Sequence, residues 1–263
     1  MTLVANLYRY RAYIFSNALN DLRSRYAGSG FGVLWNILLP VSHILIYTLV
    51  FSQIMTMRGS VSRSSNDFIL YLCSGLFPWL VFSASVIQGS NALQANARYL
   101  NKLPIPEEIF VAKLAVTETL VLGIYLILLL IAAPLLGHFL HWTILLLPLV
   151  GILFQILAFG MALLLAPLVI LFQDIAQVIG IVLRLGMWLA PIVYADTLLS
   201  EQTLAVLRWN PAYYYITTFH DLFLWGHIPP WTTWAIMLGW ATVFVGIAYW
   251  ILQKLRPDLR DAL

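Results

Sequence analysis

The stretch Asn91–Lys113, NALQANARYLNKLPIPEEIFVAK, decides how this chain is read. It is a polar, proline-broken island between two long apolar runs, and it carries Arg98, Lys102 and Lys113. Around it the chain is exceptionally greasy: 62% of all residues are hydrophobic, 10% are charged, and the mean hydropathy is +0.88. A soluble domain is roughly half apolar and about a quarter charged. A core of this size could not hide so much apolar surface, so the solvent must be lipid. The apolar runs are long and continuous, without the period-2 alternation of an outer-membrane barrel. The expected class is therefore an all-α polytopic membrane protein.

The island separates two of six predicted spans, each a window of roughly 20 apolar residues. They are Phe31–Met55, Phe68–Ile87, Ala112–Leu136, Trp142–Phe172, Ile175–Tyr194 and Trp231–Leu252. Residues 1–30 precede them and 31–263 form one transmembrane domain, with no soluble domain, linker or internal repeat. Leu3–Arg25 reads as an amphipathic helix. Leu3, Leu7, Tyr10, Ile14 and Ala18 share one side, while Arg9, Ser16, Asn20 and Arg23 share the other. Such a basic helix lies in the membrane interface; an ordinary soluble helix is the alternative. The N-terminal stretch lacks the compact apolar core and cleavage site of a signal peptide, so the first span is expected to be its own insertion signal.

Basic residues set the orientation. With the N-terminus inside, the inner segments hold Arg9, Arg11, Arg23, Arg25, Arg98, Lys102, Lys113, Lys254, Arg256 and Arg260. The outer segments hold Arg58, Arg63 and Arg208. This follows the positive-inside rule and predicts that both termini and the island are cytoplasmic. The outer segment 195–230 is apolar and aromatic but interrupted by Asp196, Glu201, Arg208 and Asp221. Asn210-Pro211 is a good helix start, a cap followed by proline at the first helical position, and Tyr215, Phe219 and Leu222 then recur on one face. Short re-entrant helices are expected there; a pair of marginal spans is the alternative, at the cost of charges in mid-bilayer.

Candidate chemistry is sparse. The chain has no Gly-Lys dipeptide, hence no phosphate-binding loop, and neither a nucleophile elbow nor an H-E-x-x-H motif. No catalytic residue is assigned. Cys73 is the single cysteine, so neither an intrachain disulfide nor a thiolate cluster can form. His138 and His141 share a helical spacing but read as interfacial side chains rather than as a metal site, and His43 as a hydrogen-bonding group between helices. The net charge of +3 is small and sits beside spans, which argues against nucleic acid as a partner. Arg184 stands out, because a charge inside the fifth predicted span must meet water, an anion or a carboxylate. It either faces a hydrated substrate path or pairs with a residue such as Glu118. Tyr47 and Phe51 of the first span, and Trp188 and Tyr194 of the fifth, offer ring faces on which sugars could stack and slide; an interfacial aromatic belt is the alternative. Within the island, Asn91–Leu100 is expected to extend the second span as a helix. Pro104 and Pro106 stop it, and Glu107 and Glu108 open the next helix at its positive end.

On these residues the chain resembles a known family. RYAGSGFGVLWNILLPVSHILIYTLVFS (residues 25–52) is similar to the first span of polysaccharide-exporting ABC transporter permeases of the type-2 exporter class. LYLCSGLFPWLVFSASVIQGSNALQANARYLNKLPIPEEIFVAK (residues 70–113) resembles their second span and cytoplasmic loop, and PIVY (191–194) and NPAYYYITTFHDLFLWG (210–226) their later motifs. FQDI (172–175) departs from it, since relatives often carry arginine before the aspartate. The resemblance implies a homodimer in the bacterial cytoplasmic membrane, bound to two copies of a separate ATP-binding subunit. That partner would hold ATP and magnesium, and this chain would carry no cofactor. The implied cargo is a lipid-linked polysaccharide: O-antigen, capsule or teichoic acid. Arg184, Trp188, Tyr194, Tyr47 and Phe51 would line the channel. Arg98, Tyr99, Leu100, Asn101, Lys102, Leu103, Pro104, Ile105 and Pro106 would couple to the ATPase, together with the N-terminal helix. Two rivals remain at this point: a permease for a drug or small lipid, and a membrane-embedded transferase acting on lipid-linked sugars.

Overall fold

The computed structural model describes residues 2–25, 28–55, 65–100, 104–172, 174–196 and 199–262, without the side chains of 33, 51–55, 65, 258 and 260–262. Among these residues the chain is helical and contains no strand. In order, the helices are α1 (Leu3–Arg9), α2 (Arg11–Ser24), α3 (Trp35–Met55), α4 (Ser65–Ser90), α5 (Ala92–Ala95), α6 (Ala97–Leu100), α7 (Glu107–Leu135) and α8 (Leu147–Leu171). They continue with α9 (Asp174–Gly186), α10 (Glu201–Leu207), α11 (Pro211–His220) and α12 (Trp231–Ala262).

Among the described residues, four helical stretches are long and apolar enough to cross a membrane: Asn66–Ser90, Glu107–Leu135, Trp142–Leu171 and Trp231–Pro257. They match the second, third, fourth and sixth predicted spans. The first prediction corresponds to a shorter apolar stretch, Trp35–Val50. The fifth departs from expectation: α9 ends at Gly186, a single 3-10 turn follows over Met187–Leu189, and Ala190 is extended. At 1.5 Å per residue, a helix of this length reaches only about 20 Å, short of the roughly 30 Å hydrocarbon core. Composition could not reveal the stop, because the apolar run continues through MWLAPIVY.

Packing is built on α4, α7, α8 and α12. Close approach of α8 to α12 requires Gly160, since a Cβ there would stand 2.8 Å from the backbone nitrogen of Val245. Small residues at such crossings are how membrane helices gain packing contact without a hydrophobic drive between them. The stretch from Pro191 to Leu222 is stitched to this bundle by hydroxyls. The Tyr71 hydroxyl lies 2.9 Å from the carbonyl oxygens of both Pro191 and Tyr194, Thr143 donates to the Leu222 carbonyl at 2.6 Å, and Tyr215 to that of Met237 at 2.6 Å. As anticipated, α11 begins at Pro211, with the Asn210 side chain accepting from the Ala212 amide at 3.0 Å. Tyr215, Phe219 and Leu222 are buried on its inner face. A single π turn, Asp221–Trp225, closes on Gly226 at φ +64°, where a side chain would also meet the His141 ring.

Two expectations about the polar ends need correction. The N-terminal helix is not continuous from Leu3 to Arg25, because Tyr10 leaves helical geometry and divides it into α1 and α2. Its anticipated apolar side is nonetheless the buried one: Leu3, Ile14 and Ala18 are in the interior, and Leu7 and Tyr10 pack against it. The second correction is at Asn91, which departs from the helix after Ser90. The expected extension to Leu100 becomes two single turns, α5 and α6, separated by Asn96. Asn91 and Asn96 each spend their side-chain amide on a carbonyl four residues back, Ile87 and Ala92 respectively, at 2.7 Å. Such local bonds compete with helix continuation.

Candidate functional site

At the end of the bundle that holds both termini, α1, α2, α5, α7, α8 and α12 share a small apolar core formed by Leu3, Ile14, Leu93, Phe110, Phe159, Leu163 and Leu252. The island wraps this core. Leu100 and Ile105 pack against it, the Tyr10 hydroxyl reaches the Pro104 carbonyl at 3.5 Å, and Pro106, extended at φ −60° and ψ 141°, starts α7 as the sequence predicts. Arg98 and Tyr99 are exposed on α6 and line a cleft of about 550 Å³ with Gln94, Ala95 and Ala97. Asn101, Lys102 and Leu103 lie outside the described residues. Lys113 differs from its neighbours in the island. Its ammonium turns inward to the Asp21 carboxylate at 3.1 Å, so it ties α7 to α2 rather than facing outward.

Beneath this surface lies a charge cluster that the sequence reading missed. Glu107 and Glu108, the first two residues of α7, are 3% and 0% exposed. Arg256 of α12 donates from Nη2 to Glu108 Oε2 at 2.9 Å, and its Nε stands 2.9 Å from Glu107 Oε2. The second contact lies off the line of a hydrogen bond and counts as an ion contact only. From the opposite side, the Asn6 amide of α1 donates to Glu108 Oε1 at 2.7 Å. One carboxylate pair therefore joins three helices that are far apart in the chain. Glu107 and Glu108 had signalled only a helix start, and Arg256 only an inner basic residue. Their pairing spans 148 positions, for which no local pattern exists.

A second set sits further along α7. Glu118 is buried, receives the Arg25 guanidinium, and accepts from the Gln88 amide at 2.9 Å. This overturns the proposed Arg184–Glu118 pair. Arg184 is exposed on α9 and makes no ion pair among the described residues.

The structure brings only some of the channel candidates together. Arg184, Trp188 and Tyr194 follow one another on the α9 segment, where the Tyr194 hydroxyl donates to the Trp188 carbonyl at 2.8 Å and Trp188 is exposed. Tyr47 belongs to α3, half-buried and stacked on His43 at 6.0 Å between ring centres. The expected hydrogen bond of His43 is missing: among the described residues its Nδ1 has no partner, and the ring instead meets Phe77 edge-on. The side chain of Phe51 lies outside the described set. Both α3 and α9 carry exposed apolar residues, among them Leu45, Ile46 and Leu49 on the first and Val178, Ile181 and Val182 on the second. Of the two outer histidines, His138 Nδ1 stands 3.8 Å from an Asp67 oxygen and His141 packs on Gly226.

Between α9 and α12, the Tyr213 hydroxyl donates to the Asp196 carboxylate at 3.2 Å. Burial and that carboxylate push the tyrosine up to about 12. Burial, with Asp196 adding to it, lifts Asp221 to about 6.

No family model matches the chain. It is 25% identical over 263 residues to the O-antigen export system permease protein RfbA of Myxococcus xanthus, covering 99% of both chains. A Klebsiella pneumoniae protein of the same description is 26% identical over 255 residues, covering 92% of each. The polysialic acid transport protein KpsM of Escherichia coli is 28% identical over 236 residues, covering 88% of this chain and 89% of its own. Over most or nearly all of its length, spanning helices and proline-bounded loop together, the chain is thus similar to permease and transport proteins of O-antigen and polysialic acid export.

Proposed function

We propose that this chain is the transmembrane permease subunit of an ABC transporter that exports a lipid-linked polysaccharide, O-antigen foremost, across the bacterial cytoplasmic membrane. The observation that carries the reading is similarity to export permeases over nearly the whole length. It covers the spans and the loop together, so it is not a likeness of greasy helices alone. A separate ATP-binding subunit, in two copies on a homodimer of this chain, supplies ATP hydrolysis. In that assembly α3 and the α9 segment complete six membrane passages, α1 and α2 lie at the inner interface, and both termini are cytoplasmic.

The ATPase docks on the exposed α6 surface, with Arg98 and Tyr99 presented beside the cleft, and on the residues that follow through Lys102 to Pro106. Motion there is passed on through Glu107 and Glu108. The exposed apolar faces of α3 and α9 meet their copies in the dimer, which puts Tyr47, Phe51, Arg184, Trp188 and Tyr194 beside the path of the polymer. A guanidinium with no ion pair among the described residues suits an anionic or polyhydroxylated cargo, and ring faces provide contacts that tolerate sliding.

The test is deletion of the gene followed by analysis of surface glycans. One surface polysaccharide disappears while its lipid-linked form accumulates on the cytoplasmic side, and the intact gene restores it. Unchanged surface glycans, or loss of the polymer without accumulation inside, would remove export from the reading.

A further inference from the structure

A cleft of about 780 Å³ lies between α2 and the antiparallel pair α7–α8, on walls that are almost wholly apolar. Arg11, Phe15, Ala115, Thr119, Gln155 and Ile156 are among its lining residues. Two polar features break the apolar wall. Gln155 is 3% exposed, and both its Nε2 and its Oε1 are without a partner among the described residues. A buried primary amide with neither function satisfied is costly and uncommon, so whatever fills the cleft is expected to satisfy it. Arg11 is exposed at the cleft and has no carboxylate within reach among the described residues. It donates from one nitrogen to the Tyr8 carbonyl at 2.9 Å and lies over the Tyr8 ring at 4.2 Å, which leaves most of its donor fork unused.

The depth of Gln155 can be read from helix register. A Cβ on Gly151 would stand 3.0 Å from the Leu122 side chain, so these residues are level. One turn toward the ends that hold the termini, Gln155 is then level with Glu118 and Thr119. At that height Glu118 already holds Arg25 and Gln88, so the boundary between polar and apolar surroundings runs there. An amide donor at this boundary faces the zone where a bilayer lipid carries its glycerol esters, with a cation nearby and an apolar trough beneath. A purely apolar occupant would leave Gln155 unsatisfied, and a small anion would leave the trough empty.

We propose that this cleft binds an anionic glycerophospholipid from the leaflet on the side of the termini. Its phosphate meets Arg11, an ester carbonyl accepts from the Gln155 amide, and an acyl chain lies along Ala115, Thr119 and Ile156. The site is apart from α3 and α9 and does not depend on the cargo proposed above. Its role is to fasten α1 and α2 to the spanning helices through a lipid.

The experiment is native mass spectrometry of the purified full-length protein, exchanged into phosphatidylglycerol or phosphatidylcholine of identical acyl chains. The expected result is one retained phosphatidylglycerol per chain in preference to phosphatidylcholine. Arg11→Gln, a change at an exposed position, should lower that preference by about tenfold, the worth of one charge-assisted contact. Gln155→Leu should weaken both lipids by a similar factor, and Ala115→Trp should block both by filling the trough. Equal retention of the two lipids, or an unchanged preference in Arg11→Gln, overturns the proposal. Displacement of phosphatidylglycerol by an equimolar polyprenyl phosphate also overturns it and assigns the cleft to an isoprenoid carrier.

Discussion

Replacing Arg256 by methionine isolates the charge cluster, because methionine keeps an unbranched apolar stem where the arginine stem packs while removing the guanidinium. Two carboxylates at 3% and 0% exposure then lose the guanidinium that both contact. Removing one partner of a buried ion pair costs about 3–5 kcal/mol, because the remaining charge stays desolvated. The Arg256 side chain is itself 26% exposed, so water can reach the site, and the Asn6 amide still serves Glu108. Both place the expected loss at the lower end, about 3 kcal/mol. At roughly 2–4 °C per kcal/mol for a chain of this size, the unfolding midpoint should fall by about 6–12 °C. The assay is thermal unfolding of the purified protein in detergent. Arg256→Met combined with Glu108→Gln should recover a substantial part of the loss, since the most buried negative charge is gone while the Asn6 bond survives. A midpoint within about 1 °C of the parent in the single variant, or no recovery in the double, would refute the view that this cluster fastens α7 to α12 and α1.

Other positions give independent outcomes. Gly160→Ala forces a Cβ against the Val245 backbone and should destabilise by about 1–3 kcal/mol, read as a lower midpoint in the same assay. Arg184→Ala, at an exposed residue without an ion pair among the described residues, should leave stability within about 0.5 kcal/mol yet reduce export, measured as surface polysaccharide; a large loss of stability would instead reveal a structural pair. Arg98→Glu together with Lys102→Glu should leave the purified protein folded but abolish export and its coupling to ATP hydrolysis in the reconstituted complex, whereas unchanged export would remove α6 from the docking surface. For Asp221, lifted from 3.8 to about 6, the folded state disfavours the charged form; the penalty is absent below about pH 4 and complete above about pH 6. Asp221→Asn should therefore raise the midpoint at pH 7.5 and leave it unchanged at pH 4.

Much of the architecture is legible because lipid imposes it. Continuous apolar runs give the four long helices, proline and acids give the start of α7 at Glu107, and Asn210-Pro211 gives the start of α11. What sequence could not provide is whatever depends on distant partners. The stop of α9 at Gly186 falls inside an unbroken apolar run, and the Tyr71 hydroxyl that helps hold the following turns is more than a hundred residues away. Glu118 reads in the sequence only as a possible partner for Arg184, whereas its cation is Arg25, contributed by a helix that reads as merely amphipathic. The exposed half of the proposed coupling surface, Arg98 and Tyr99, follows from local polarity; the buried cluster beneath it, Asn6, Glu108 and Arg256, does not.

That division has a mechanical consequence for the proposed coupling. On its N-terminal side the island joins α4 through Asn91 and Asn96, where helical geometry is interrupted twice and side chains hold the loose carbonyls. On its other side Pro106 leads without a break into α7, 29 residues long, whose first two side chains are bound to α12 and α1. Interrupted helix turns bend at little cost, whereas a continuous helix clamped by buried charges moves as a unit. In the proposed coupling, a push delivered at Arg98–Pro106 therefore passes preferentially into α7, and with it α1, α2 and α12, while α4 stays with the Pro191–Tyr194 turn to which Tyr71 ties it. Relative movement falls between α7 and α4, and α3 packs against both. The clamp variant bears on this directly: in Arg256→Met, retained ATP hydrolysis with lost export marks the cluster as the link, whereas export that falls only in proportion to protein abundance leaves it a structural tie.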